Sequence, residues 1–164
     1  SISVSGHKFL GAPMPCGIFI TRKENIKVLN SPIEYLNSLD TTITGSRNGH
    51  ASLYIWNVLV DKGLDGFKED VKQCNENTQY MLDKLKSFNI SCFKNMFSTT
   101  IVFEKPEETE FIKKWQLACQ GNIAHVVIMP SIKKGKIDLF INELKDLPSI
   151  KKKSYKTDYE KWLS

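Results

Sequence analysis

Hydrophobic and polar positions change rhythm several times along the chain, and each change marks an element. Residues 2–7 and 16–22 read as strands, the second ("CGIFITR") an apolar run bounded by Pro15 and a charged cluster. Residues 9–16 between them carry Gly11, Pro13 and Pro15, which predicts a tight irregular connection. No regular period runs through residues 24–49. From 51 to 60 ("ASLYIWNVLV") the residues are apolar almost all round, which predicts a helix buried on most sides, broken by Gly63 and Gly66. Leu64, Phe67, Val71, Cys74, Thr78, Met81, Leu85 and Phe88 then alternate spacings of three and four, drawing one stripe along a helix of about six turns. That stripe suits a helix laid over a sheet, with a coiled-coil seam as the alternative.

Beyond Asn89 the pattern becomes that of strands: "ISCF", then "STTIVFE" over 98–104, stopped by Pro106. Residues 107–114 predict a short helix whose acidic first turn suits the helix dipole. Residues 115–119 and 123–129 flank "QGN", a hairpin signal. A last helix over 135–147 would bury Ile137, Phe140, Ile141 and Leu144. The order strand, strand, helix, strand, strand, helix describes a small α/β or α+β unit laid on the long helix.

Composition narrows the class. With 164 residues, 41% hydrophobic and 25% charged, the chain is long enough for a packed core. No stretch approaches about 18 consecutive apolar residues and no basic-then-apolar leader is seen, so neither a membrane span nor a secretory signal is expected, and the reading is cytoplasmic. Cys16, Cys74, Cys92 and Cys119 are too widely spaced for a zinc motif, so free, mostly buried thiols and no metal are expected. The net charge of +5 is uneven: residues 150–164 hold five lysines against Asp158 and Glu160. The basicity therefore belongs to a tail, and a nucleic-acid-binding module would lack an aromatic and basic platform elsewhere.

Three places carry candidate chemistry. Lys8 follows His7 at the end of a strand of small residues; a lysine that acts as a nucleophile needs a site that favours its neutral form, whereas an ordinary strand-end lysine does not. "TGSRNGH", 44–50, sets glycines, a hydroxyl and an arginine before a helix, either to bind an anion or to cap the helix through Asn48 or Gly49. His125 interrupts an apolar strand, where a satisfied core histidine is the plainer reading.

"SVSGHKFLGAPMPCG" (3–17), "TITGSRNGHA" (42–51) and "KWQLACQGNIAHVVIMP" (114–130) resemble the group II pyridoxal-phosphate-dependent amino acid decarboxylases, in the branch of plant-type serine decarboxylases, often labelled histidine decarboxylase-like. The resemblance runs in order from residue 1 to about 147. It implies an α/β chain that is the C-terminal part of a fold-type I, aminotransferase-like enzyme. Residues 1–49 would end the large cofactor-binding domain, 50–87 form connecting helices, 88–147 the small α/β domain and 148–164 a basic tail.

The resemblance also implies pyridoxal 5'-phosphate as cofactor, Lys8 as the lysine of the internal aldimine, His7 beside the cofactor phosphate and Ser5 among the cofactor contacts. Ser46 resembles a phosphate contact donated across a dimer interface, and His125 is assigned to the substrate end of the site. The implied reaction removes CO2 from an L-amino acid, serine or histidine, leaving the amine. Family members carry an aspartate on the pyridinium nitrogen and a ring-stacking histidine upstream of the lysine, and neither segment is in these residues. The expectation is thus an incomplete segment that works as a homodimer or with an N-terminal half of the enzyme; the alternative is a non-catalytic remnant that binds a full-length decarboxylase. Neither a nucleic acid nor a membrane is expected as partner.

Overall fold

The computed structural model of the chain describes residues 1–27, 31–33, 38–40 and 47–152. It divides into two compact units, Ser1–Gly66 and Phe67–Ser164.

In the first unit, β1 (Ile2–Ser5) and β2 (Gly17–Ile20) pair antiparallel, with Ser5 opposite Gly17. β1 is shorter than the expected strand because the chain turns immediately after Ser5, where Lys8 N–H donates to the Ser5 carbonyl at 3.1 Å. Residues 24–49, which show no period, contain the end of a one-turn helix α1 (Lys23–Ile26) and a second small hairpin, β3 (Ser31–Ile33) with β4 (Ser38–Asp40). Elements this short carry too few residues for periodicity to register.

α2 (Gly49–Ser87) begins at a cap: Asn48 Oδ1 accepts from His50 N–H at 2.9 Å. Its first stretch is not buried on most sides. Ala51 is buried and Ile55 and Val58 are half-buried, while Leu53 (64%), Trp56 (64%) and Val60 (63%) are exposed. Within its unit one face of the helix is supported and the other faces water. Gly63, at φ 56° and ψ −171°, divides α2 into two helical stretches, whereas Gly66 is helical and breaks nothing.

The second unit is built on the remainder of α2. A four-stranded antiparallel sheet has the order β5-β6-β8-β7, with β5 (Cys92–Phe93), β6 (Thr100–Glu104), β7 (Ala118–Gln120) and β8 (Ile123–Val127). β7 and β8 meet through Gly121 and Asn122, with Gly121 at φ 54° in the position where a two-residue hairpin needs a positive φ. Strand alternation puts Ile101 and Phe103 of β6 and Ala124 of β8 on one face. Met81, Leu82 and Leu85 of α2, Phe111 of α3 (Thr109–Trp115) and Ile137, Phe140, Ile141 and Leu144 of α4 (Lys134–Lys145) join them in one core. The stripe is therefore a sheet-covering stripe, and the four residues expected to be buried on the last helix are buried. The stripe departs from the expectation at both ends: Leu64 and Val71 towards its start and Phe88 at its finish are exposed.

Trp115 was the start of an expected strand and is instead the last residue of α3. Gln116, left-handed at φ 48°, ends that helix by donating its N–H to the carbonyls of Ile112 and Lys113. Residues 148–152, the first of the expected basic tail, form α5 (Pro148–Lys152); residues 153–164 lie outside the described residues.

Polar bonds tie the helices together. Asn77, buried, donates to the Ile132 carbonyl at 2.9 Å, and Tyr80 donates to Asp138 at 2.6 Å. Glu108 receives the Ser149 hydroxyl at 2.5 Å and the Ser149 N–H at 2.9 Å, while Glu107 N–H donates back to the same hydroxyl at 3.1 Å. One serine and one carboxylate thus tie the residues just before α3 to the start of α5.

Burial alone would raise the Glu108 carboxyl, but the hydrogen bonds from Ser149 outweigh it and hold the group below the ordinary glutamate range. Because the folded value is the lower one, the clasp contributes fully above about pH 4.3 and is lost as pH falls through the depressed folded value. Ser149→Ala should cost about 1–3 kcal/mol at pH 7. Urea unfolding of the parent and of Glu108→Gln should differ at pH 7 and converge as the pH falls below 4.

The thiols give a second test. Burial pushes the Cys92 thiol up to about 11, and Cys74 is also buried, whereas Cys119 is exposed on β7. At pH 8 an aromatic disulfide reagent should modify Cys119 within seconds and Cys92 only on unfolding.

Candidate active site

The candidate residues at the N-terminal end sit in consecutive turns that follow β1. Ser5 closes the strand, half-buried; Gly6 is buried; His7 and Lys8 are exposed. The turns are closed by main-chain bonds: Lys8 N–H to Ser5 O, Gly11 N–H to Lys8 O at 3.2 Å, and Ala12 N–H to Gly6 O at 3.0 Å. Gly11 takes φ 69°, a left-handed value that lets the second turn close.

β1–β2 pairing positions the rest. Register continues one step past Ser5–Gly17, so Gly6 lies across from Cys16 and donates its N–H to the Cys16 carbonyl at 2.9 Å. A Cβ on Gly6 would stand 2.6 Å from the Cys16 sulfur, so the glycine is a requirement of close approach within the chain. His7 Nδ1 lies 3.3 Å from the Cys16 N–H and 3.2 Å from its carbonyl oxygen. When Nδ1 accepts from the Cys16 N–H, the ring proton is on Nε2, free to donate elsewhere. The Cys16 main chain is the positioning group that sequence reading missed; its signal was the strand pairing that sets the two residues opposite each other.

Lys8 has no side-chain partner among the described residues. Its amine, the Nε2 of His7 and the half-buried hydroxyl of Ser5 therefore occur within four consecutive residues of one braced turn. A primary amine with no side-chain partner among the described residues, beside a hydroxyl and an imidazole N–H, is a donor set that fits an aldehyde carrying an anionic ester. The residues present fit pyridoxal phosphate in that chemical sense.

The other candidates are placed apart from this turn. Ser46 lies outside the described residues; its neighbour Arg47 is exposed, and Asn48 performs the capping role. His125 belongs to the second unit, on β8 opposite Val102 of β6 and Ala118 of β7. Alternation puts it on the sheet face away from the helices, exposed and not in the core. Among the described residues no group of three His, Cys, Asp or Glu side chains is placed to hold a metal ion, and no helix is long and apolar enough to cross a membrane.

Known proteins share both sequence and fold with this chain. Serine decarboxylase 1 of Oryza sativa subsp. japonica is 55% identical over 144 residues, which is 88% of this chain and 30% of that protein. Histidine decarboxylase of Solanum lycopersicum is 49% identical over 144 residues, 88% of this chain and 35% of that protein. The chain thus spans about a third of the length of these relatives. Among solved structures, L-methionine decarboxylase from Streptomyces sp. 590 superposes with a TM-score of 0.78 at 31% identity, over 90% of this chain and 32% of that one. A sphingosine-1-phosphate lyase of Burkholderia pseudomallei, at 16% identity and TM-score 0.67, shares the fold over 87% of this chain and 36% of that one. The architecture is accordingly that of part of a fold-type I enzyme. The Pyridoxal-dependent decarboxylase conserved domain matches residues 1–104, the stretch that holds the braced lysine turn, and the chain belongs to the pyridoxal-dependent decarboxylase family.

Proposed function

We propose that this chain supplies the lysine-bearing part of a carboxy-lyase that removes CO2 from an L-amino acid, serine or histidine, with pyridoxal phosphate as cofactor. The observation that carries the reading is the turn Ser5–Gly6–His7–Lys8, with an unengaged lysine amine on a backbone braced by Cys16. The choice of substrates follows the two kinds of relative that are about half identical to it. Residues 1–49 would then end the large domain, 50–87 connect, and 88–147 form the small domain.

Each residue has a role in this proposal. Lys8 holds the cofactor covalently through Nζ and, once substrate has taken its place, is the group able to carry a proton at that atom. His7 is fixed by Cys16 through Nδ1, so that Nε2 can donate to an anionic oxygen. Ser5 adds a hydroxyl, and Ser46 enters only through its resemblance to a phosphate contact given across a subunit boundary. His125, exposed and with no side-chain hydrogen bond among the described residues, is assigned to the substrate end, where contact would displace only water. Bound pyridoxal phosphate supplies an electron sink for the pair left when CO2 departs.

The assembled form is proposed to be a cytoplasmic homodimer, or a complex with the N-terminal portion of the enzyme. Support comes from the uncovered apolar face of α2 at Leu53, Trp56 and Val60 and, separately, from Phe19 of β2 at 65% exposure.

Two measurements test these readings. In an assembled enzyme containing this segment, Lys8→Ala should lower turnover by several orders of magnitude and abolish borohydride fixation of the cofactor to the peptide that carries residue 8. Fixation persisting at another lysine, with turnover retained, overturns the assignment; no turnover from any assembly with a matching N-terminal half favours the non-catalytic remnant. Sedimentation of the 18.7 kDa chain should give species larger than a monomer, and Trp56→Glu with Leu53→Glu should return it toward the monomer. A parent chain that is monomeric at every concentration counts against a covered face.

A further inference from the structure

The second unit carries a groove of which the reading above uses only His125, one of its lining residues. It opens at the edge of the sheet, where β7 starts late and leaves Val126 and Val127 at the end of β8 uncovered by a strand on that side. The end of α3 forms one wall and α4 the other, and the groove encloses about 600 Å³. That volume falls within the range of sites for small molecules.

Its floor and walls are mostly apolar: Trp115, Leu117, Val126, Ile132, Leu139 and Phe140 all line it. The Trp115 wall is fixed before any ligand arrives. Its indole N–H donates to Glu143 at 2.9 Å, and its ring meets Phe140 edge-on with centroids 5.0 Å apart. Leu139, an apolar side chain left 53% exposed on α4, stands at this opening.

The charged groups are uneven. Two lysines, Lys114 and Lys136, line the groove together with His125, and no carboxylate does. Lys114 is already engaged by Glu143 at 2.7 Å, which offsets its charge. At the start of α4 Lys133 donates to Gln73 at 2.8 Å, and Lys134 lies 5.3 Å from the centre of the Tyr80 ring. Lys136 alone of these has no side-chain partner among the described residues. It stands in the first turn of a 12-residue helix, where the aligned peptide dipoles add to its positive field.

We propose that this groove binds a small free carboxylic acid with an aromatic or branched apolar body, its carboxylate at Lys136 and its hydrocarbon against the Trp115, Leu117 and Phe140 wall. An apolar floor alone would take any greasy molecule. One unengaged cation with no carboxylate beside it selects the anion among them. The assignment uses only groups of the second unit and does not depend on the decarboxylase reading.

The test is titration of the full, ¹⁵N-labelled chain with phenylacetate, and with phenylacetamide as the uncharged isostere. Phenylacetate should give saturable amide shifts at Leu117, Val126, Val127 and Ile132, with Kd on the order of 1 mM. Phenylacetamide should bind roughly threefold or more weakly. Lys136→Glu is the decisive variant, because an acidic residue in the first turn of α4 favours the helix dipole and should leave thermal stability unchanged or higher. It should nevertheless weaken phenylacetate by about fivefold or more. The proposal is overturned by an absence of saturable shifts, by equal affinity for acid and amide, by a Lys136→Glu variant that binds as the parent does, or by shifts clustered elsewhere. Groove signals that move with protein concentration in the absence of phenylacetate would assign the surface to a second copy and likewise overturn it.

Discussion

The contact between Gly6 and Cys16 sets the geometry on which the lysine turn depends. Strand pairing brings these residues opposite each other, and the sulfur occupies the space that any side chain at position 6 would need. With that approach secured, the Cys16 main chain serves two neighbours at once, accepting from Gly6 and engaging the His7 ring. The turn beyond is closed by its own backbone bonds, so Lys8 is carried on a frame and not on a free end. Among the described residues its side chain has no partner while the backbone beneath it is hydrogen-bonded, the arrangement expected of a group that must exchange partners.

The two units solve the burial problem differently. In the second, helices cover one face of a sheet and interlock through buried or charge-assisted bonds: Asn77 to Ile132, Tyr80 to Asp138, Glu143 to both Lys114 and Trp115. In the first, the hairpin supports only one side of the opening stretch of α2. Membership of a family whose relatives are about three times as long gives this contrast a simple physical context, since a large domain distributes its core over more chain than these residues hold.

Much of the second unit was legible because its elements are long enough to show a period. The stripe from Cys74 to Leu85 and the quartet Ile137, Phe140, Ile141 and Leu144 are spaced for helices; Met81, Leu85 and the quartet join the core cluster, and Cys74 and Thr78 are buried. Trp115 was misread because an aromatic beside "LAC" resembles strand composition, while the local bonds of Gln116 settle the end of the helix instead. The apolar run at 51–60 was read as buried all round, yet composition reports only that a surface should be covered, not whether these residues can cover it. At the lysine turn the motif was visible through its resemblance, and the bracing by Cys16 was not, because it depends on strand register. The groove left no sequence signal, since its walls come from three separate elements and its charge balance depends on which lysines have found partners.

The position of α2 in the chain has a consequence for synthesis. Its bonds through Asn77 and Tyr80 reach 55 and 58 residues ahead, and the stripe of Met81, Leu82 and Leu85 is completed by Leu144, roughly 60 residues after Leu85. At about 5–20 residues per second, a ribosome makes the last of those partners some 3–12 s after the stripe itself. For that interval β5 and β6 are already made while β8 and α4 are still to come, so the stripe waits with only part of the surface that will finally bury it.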